Sequence, residues 1–263
     1  MDLGLFDHDS AIRQRYLEID DRSEAAKELI HRSGWTFGQF QDVYDTSWIF
    51  HENGLEGVVL TYPEIKSAIE NKIVSDVSLL PTYKDIKNQR GCIDLIRDRA
   101  QQKRFVITVS FLEHLHGLLT DDPEQAATYR KDIPIHRTYF HEIAQPTKIQ
   151  PALQKVLDYL KARPERDLHT IEFAANVHHR FMRVFPFSQH SGTIGRLVAN
   201  FVLIRGGYLP VIIHSTDRQR YYDALRGPER DFRAFMAEAM ENSIENAIRF
   251  FSDRANAVKR AAN

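Results

Sequence analysis

FPFSQHSGTIGR, residues 185–196, decides how this chain is read. Pro186 bars a regular helix through its own position and pushes Phe185 toward extended geometry. A new helical period begins near Thr193. Between them lies a small polar run, SQHSG, in which Gly192 is free to take a positive φ. The backbone N–H groups of about 191–194 are therefore expected to point, unpaired, into the loop at the positive end of a helix dipole. That is a generic anion site, and by itself also the signature of a serine-capped helix start with a histidine near the surface.

Working outward, helical periods dominate. They cover 23–33, 37–51 with a stop signal at Asn53-Gly54, a Thr61-capped segment to about 73, 80–103, 109–119 capped by Thr108 or Ser110, 150–162, 170–183 capped by Thr170, 193–206, 216–226 and 229–256. Residues 129–149, YRKDIPIHRTYFHEIAQPTKI, break the texture: β-branched and aromatic residues, two prolines and no helical period predict a hairpin or two short extended segments. No repeat, low-complexity run or linker divides the chain. The expectation is mainly α, one helical domain with a small β element.

Composition narrows the function classes. The 263 residues are 43% hydrophobic and 27% charged, with a net charge of −1, which gives no bulk electrostatic case for nucleic acid or an anionic membrane. The longest nearly apolar run, LVANFVLI (197–204), is far short of the ~20 residues of a membrane span. The mixed, acidic N-terminus lacks the pattern of a signal peptide. A cytoplasmic protein is expected. The single cysteine, Cys92, forbids an internal disulfide and is read as a buried structural thiol.

The loop and its flanks resemble the Fic domain, whose loop reads HPFxxGNGRxxR and whose enzymes transfer AMP from ATP to a protein hydroxyl. FPFSQHSGTIGR aligns with it without gaps. TIEFAANVHHRFMRVFPF resembles the family's helix before the loop, RLVANFVLIRGGYLPVIIHSTDRQRYYDALR the helix and turn after it, and YRKDIPIHRTYF the family's YR and β-hairpin flap. WIFHENGLEGVVLTYPEI resembles the inhibitory motif (S/T)xxxE(G/N), with Trp48 in place of Ser/Thr. The resemblance implies an N-terminal helical extension (1–36), a Fic-like domain (37–250) that includes an inhibitory-type helix (37–53), and a C-terminal helix end (251–263).

The departures fall on the chemistry. Phe185 stands where the family has its general-base His, and a phenyl ring accepts no proton. Gln189 stands for the Mg²⁺-binding acid and is a poorer ligand for a hard cation. His190 replaces the first Gly, Ser191 the Asn and Thr193 the first Arg; Gly192 and the second Arg, Arg196, are kept. His190 is the candidate relocated base. Ser191, Gly192, Thr193, Arg196, Asn200 and Tyr222 are the candidate phosphate or nucleotide contacts, with packing the alternative for Asn200 and the Tyr221-Tyr222 pair. Glu52 is the candidate gate, because the family's inhibitory Glu pairs with the second Arg; a purely structural bridge is the alternative.

No metal site is assigned. Convergence of His51, His190 and a flap His (His136 or His141) would make one, but spacing does not show it. His178 and His179 read as packing residues, and Arg137 as a solvated charge. The cofactor is unknown, with ATP and Mg²⁺ the ones the resemblance brings. A protein substrate would dock on the flap, residues 133–143, and a homodimer is compatible with the family. The expected function is non-standard or residual transferase chemistry with a phosphate-binding loop. The alternative is an inactive pseudoenzyme that serves as a protein-binding or regulatory module.

Overall fold

A computed structural model of the chain describes residues 3–33, 37–72, 76–134, 141–163 and 168–261. Two helices make its centre: α8 (Thr170–Val184) and α9 (Ser191–Arg205), joined by the loop quoted above. Residues 191–203 of α9 are all buried, as expected of a helix with no solvent face. Gly195 permits the close crossing: a Cβ there would lie 3.0 Å from the Phe181 ring and 3.2 Å from the Met182 sulfur of α8.

The other helices close around this pair. In chain order they are α1 (Leu3–Arg32), α2 (Phe37–Glu56), α3 (Tyr62–Ile69), α4 (Leu80–Gln101), α5 (Val109–Thr120), the short α6 (Pro123–Ala126), α7 (Ile149–Ala162), α10 (Arg218–Arg226) and α11 (Glu229–Ala261). α4 packs on α9, α11 and α7 on α8, and α1 on α11. Thr61 forms a capping box with Glu64, and the Thr108 hydroxyl accepts from the Phe111 N–H at 3.2 Å, so both caps are where the sequence puts them. Cys92 is fully buried, and burial pushes its thiol up to about 12. Among the described residues no helix is long and apolar enough to cross a membrane.

Several expectations need correction. α1 begins at Leu3, well before residue 23, because tertiary contacts hold a stretch with little period of its own. Tyr16 stacks on His169 at 4.5 Å, and Arg15 makes a two-pronged bond to Glu241 at 2.7 and 2.8 Å. α8 is capped by His169 rather than Thr170, its Nδ1 accepting from the Ile171 N–H at 3.3 Å. α2 runs through Asn53-Gly54 and stops only at Glu56, where Gly57 takes φ +87°. Gly54 is not a stop: it sits against Ser215 with no room for a Cβ. Asn53 is turned into the structure, exchanging amide bonds with Gln89 of α4 at 2.7 and 3.1 Å.

The predicted hairpin is not found: there is no strand among the described residues, and its centre, 135–140, with His136 and Arg137, lies outside them. The flanking backbone is committed elsewhere. Arg130 N–H donates to the Pro186 carbonyl at 3.0 Å and Ala144 N–H to the Arg183 carbonyl at 2.8 Å, so both flanks are tied to the end of α8.

A buried charge cluster joins α2 to α4. Asp45 has no exposed surface, receives Arg97 Nη1 at 2.6 Å and lies 3.1 Å from Arg90 Nε. Removing a partner from a buried pair leaves an uncompensated charge, a loss of about 3–5 kcal/mol. Asp45→Ala should therefore lower the free energy of unfolding by about 3 kcal/mol in a denaturant titration; a loss below 1 kcal/mol would show that water already compensates Arg97 there.

Candidate functional site

The loop is built from the C-terminus of α8. Phe185 is not extended. It caps α8 in the left-handed region at φ +46°, with its N–H on the Phe181 carbonyl at 2.9 Å. This conformation is strained for a bulky residue. Arg130 holds it: Nε donates to the Phe185 carbonyl at 2.7 Å, Nη2 to the Val184 carbonyl at 3.2 Å and also to Ala144, and Nη1 to the Asp132 carbonyl at 2.8 Å. One guanidinium thus gathers carbonyls at the negative end of α8. The Phe185 ring is 2% exposed, with the His141 ring 6.2 Å away at 72°.

Phe187, fully buried, stacks on His116 at 4.1 Å. The Ser191 hydroxyl accepts from the Phe187 N–H and donates to the Phe187 carbonyl, both at 2.8 Å, so this side chain closes the loop on itself. Ser188 and Gln189 are exposed. His190 is the N-cap of α9 in the left-handed region, φ +58°, and is half-buried. The first intrahelical bond runs from Ile194 N–H to the His190 carbonyl at 2.9 Å. The N–H groups of Ser191, Gly192 and Thr193 come before it, which is the donor set an anion needs. Burial lowers the pKa of His190 against the raising pull of Glu56, Asp85 and Glu52, so its ring is neutral near pH 7.

Arg196, on the next turn of α9, is the charged centre. Glu52 takes its Nε at 2.9 Å on both oxygens and its Nη2 at 2.5 Å. Glu56, one turn further along α2, takes Nη2 at 2.5 Å. Nη1 donates to the Tyr221 hydroxyl at 3.2 Å. That hydroxyl is 2.8 Å from His178 Nε2, a hydrogen bond whose direction is set by the imidazole tautomer. Burial works against the Arg196 charge, but Glu52, Tyr221 and Glu56 outweigh it and raise the pKa well above its ordinary value. The cavity bounded by Trp48, Glu52, His178 and Arg196 has about 10 Å³, room for one water.

The remaining candidates lie apart from the loop's open side. Asn200 has its amide on the Val211 backbone, donating at 3.1 Å and accepting at 2.7 Å. Tyr222 is buried, with Arg218 5.3 Å over its ring. His179 Nε2 donates to the Gly227 carbonyl at 3.1 Å. His51 stacks on His214 at 4.4 Å and its Nδ1 accepts from the Ser215 N–H at 3.2 Å, so it does not converge with His190. Among the described residues no cluster of three or more His, Cys, Asp or Glu side chains could hold a metal. Two residues at the site carried no sequence signal, Glu56 and Asp85, the latter on α4 and felt electrostatically by His190; Arg130 was marked only as part of the family's YR, without its role at the end of α8.

Burial holds His178 and His51 neutral, lowering them from the ordinary 6.5 to about 3 and about 4. The unfolded chain takes up protons first as pH falls. The stability tied to these groups is thus fully present above pH 6.5 and lost progressively toward pH 4 and below. Denaturant midpoints should fall over that window, with a shallower slope in His51→Gln; an unchanged slope would mean His51 is not buried as a neutral base.

Comparison with known proteins agrees with this architecture. Residues 106–203, from before α5 to near the end of α9, match the Fic/DOC family. Two curated relatives bear the name protein adenylyltransferase Fic. That of Drosophila willistoni is 26% identical over 239 residues, 88% of this chain and 47% of its own. That of Drosophila melanogaster is 26% identical over 242 residues, 89% of this chain and 48% of its own. The chain therefore spans about half the length of the curated relatives it matches. Among solved structures, a Fic domain containing signaling protein from Bacteroides thetaiotaomicron superposes with a TM-score of 0.75 at 23% identity, covering 91% of this chain and 98% of that one. Fic-1 (residues 134–508) from C. elegans gives 0.77 at 20%, covering 93% and 74%. At these identities the two structures speak to the fold alone. Residues 106–203 are thus similar to the Fic/DOC family, and the chain has the fold of the Fic-domain structures.

Proposed function

We propose that this chain is an AMP-transferring type of enzyme with a rebuilt loop, held closed by α2, in which His190 takes the proton that residue 185 cannot. The observation that carries the reading is the buried Glu52–Arg196 pair against the first turn of α9. The N–H groups of 191–193 and a guanidinium are the parts a phosphate group needs. The name of the curated relatives supports the reaction class.

In this reading the nucleotide's phosphates lie on α9 once Glu52 has released Arg196. The oxygen of a target hydroxyl forms a bond to the α-phosphorus. The bond from that phosphorus to the bridging oxygen breaks, and pyrophosphate leaves with the electron pair. The hydroxyl proton passes to His190, whose lowered pKa leaves it a free acceptor near pH 7. Asn200 and Tyr222 contribute by shaping the wall behind α9, through Val211 and Arg218. A protein-held Mg²⁺ does not fit the residues present: the loop offers only the neutral, exposed amide of Gln189, Glu52 and Glu56 are engaged by Arg196, and among the described residues no group of three or more His, Cys, Asp or Glu could hold a metal.

One observation favours a second reading, a binding module without catalysis. The place of the usual base is filled by a buried phenyl ring, and Ser191 is folded onto Phe187. Such a module would use the 133–143 segment, mostly outside the described residues, to dock a protein.

A transfer assay with labelled ATP separates the two. Glu52→Gly should raise incorporation into protein at least tenfold over wild type, a typical coupling magnitude. His190→Ala in the Glu52→Gly background should abolish the gain while the thermal melt stays within a few degrees. Retained transfer in the double variant would remove His190 as the base. ATP binding without transfer in Glu52→Gly would favour the binding module.

A further inference from the structure

The extra turn of α2 beyond Asn53-Gly54 has a consequence at the loop. Glu52 and Glu56 are four residues apart and lie on one helix face, where like charges ordinarily repel. Here both meet the Arg196 guanidinium. Glu56 also reaches the first turn of α9: a Cβ added to Gly192 would collide with Glu56 Oε1 before any other atom. Its carboxylate therefore rests against the backbone of Gly192, whose N–H precedes the first intrahelical bond. A negatively charged group already stands where an anion would dock.

The two carboxylates differ in exposure. Glu52 is enclosed, with 6% of its side chain exposed, whereas Glu56 keeps 23%. Glu56 can swing to solvent while Glu52 keeps its two-pronged bond to Arg196. One guanidinium facing two carboxylates leaves the cluster net negative, so a phosphate arriving from outside meets repulsion until Glu56 leaves.

We propose that Glu56 is an internal stand-in for a ligand's phosphate: an outer gate on the α9 cradle, released before and separately from the inner gate at Glu52. This rests on the phosphate-site reading above and names its regulation. Glu56 sets affinity for the phosphate, because a site whose open form is a small fraction of the population binds more weakly by that fraction. It takes no part in proton transfer.

The test is calorimetric titration of inorganic tripolyphosphate into wild type, Glu56→Gln, Glu52→Gly and the double variant Glu52→Gly/Glu56→Gln. Glu56→Gln keeps the side chain's size and removes its charge, and its partial exposure allows the fold to survive; a thermal melt verifies this. Glu28→Gln removes the same charge from exposed α1 as a control. Binding to Glu56→Gln should be about tenfold tighter than to wild type, with Glu28→Gln unchanged. If Glu56→Gln binds as wild type does while Glu52→Gly binds more tightly, the outer gate is refuted and the phosphate-site reading stands. An equal gain in Glu28→Gln refutes it as a bulk charge effect. If no variant binds, including the double one, the phosphate-site reading fails and takes the gate with it.

Discussion

The guanidinium of Arg196 is the constraint around which this molecule is organised. A buried arginine must be met by carboxylate or by phosphate, because an unpaired charge in the interior is far too costly to keep. Glu52 and Glu56 come from a helix more than a hundred residues earlier in the chain, and Tyr221 from the helix that follows α9. One cation thus ties three remote segments together. In the proposed reading the same requirement makes it a site, because a phosphate could replace a carboxylate ion for ion and leave the cation satisfied. The ion pair is a structural tie, and in the proposed reading it is also the gate.

The loop in front of that cation is a rigid platform. Arg130 gathers the carbonyls at the end of α8, Ser191 closes on Phe187, and Phe187 stacks on His116. These contacts fix the first turn of α9 independently of its charged partners. They also explain why Phe185 is tolerated in a left-handed conformation: its carbonyl is held by Arg130 and its ring is buried. The position that would carry a base is an apolar wall, and the nearest titratable side chain of the loop itself is His190. Phe185 and its neighbours are closely packed, which differs from the looseness expected of a decaying loop.

What the sequence made legible was local chemistry. Thr61 and Thr108 announced their helices because a hydroxyl before an apolar period has one favourable use. Cys92, a lone thiol with no CxxC partner, is buried as expected, and His178 and His179 are buried as the packing role implied by the family resemblance requires. Pairing of Glu52 with Arg196 was foreseeable only through the family pattern, since no local rule links residues 144 positions apart. The misses are tertiary overrides. Asn53-Gly54 has the chemistry of a helix end, yet Ser215 leaves no space for a side chain at 54 and Gln89 captures Asn53, so the helix continues. That extra turn is what delivers Glu56, which explains why Glu56 was invisible beforehand. The expected hairpin has β-like composition, but the backbone N–H groups of Arg130 and Ala144 in its flanks are taken by the Pro186 and Arg183 carbonyls at the end of α8.

The central claim is that the Glu52–Arg196 pair gates a working phosphate cradle rather than serving only as a structural bridge. Equilibrium titration of ATP into wild type and Glu52→Gly tests it most directly. The account predicts weak binding to wild type and binding at least tenfold tighter to Glu52→Gly, with the fold retained. Binding that is equally weak or absent in both would contradict it and leave the pair with a structural role alone.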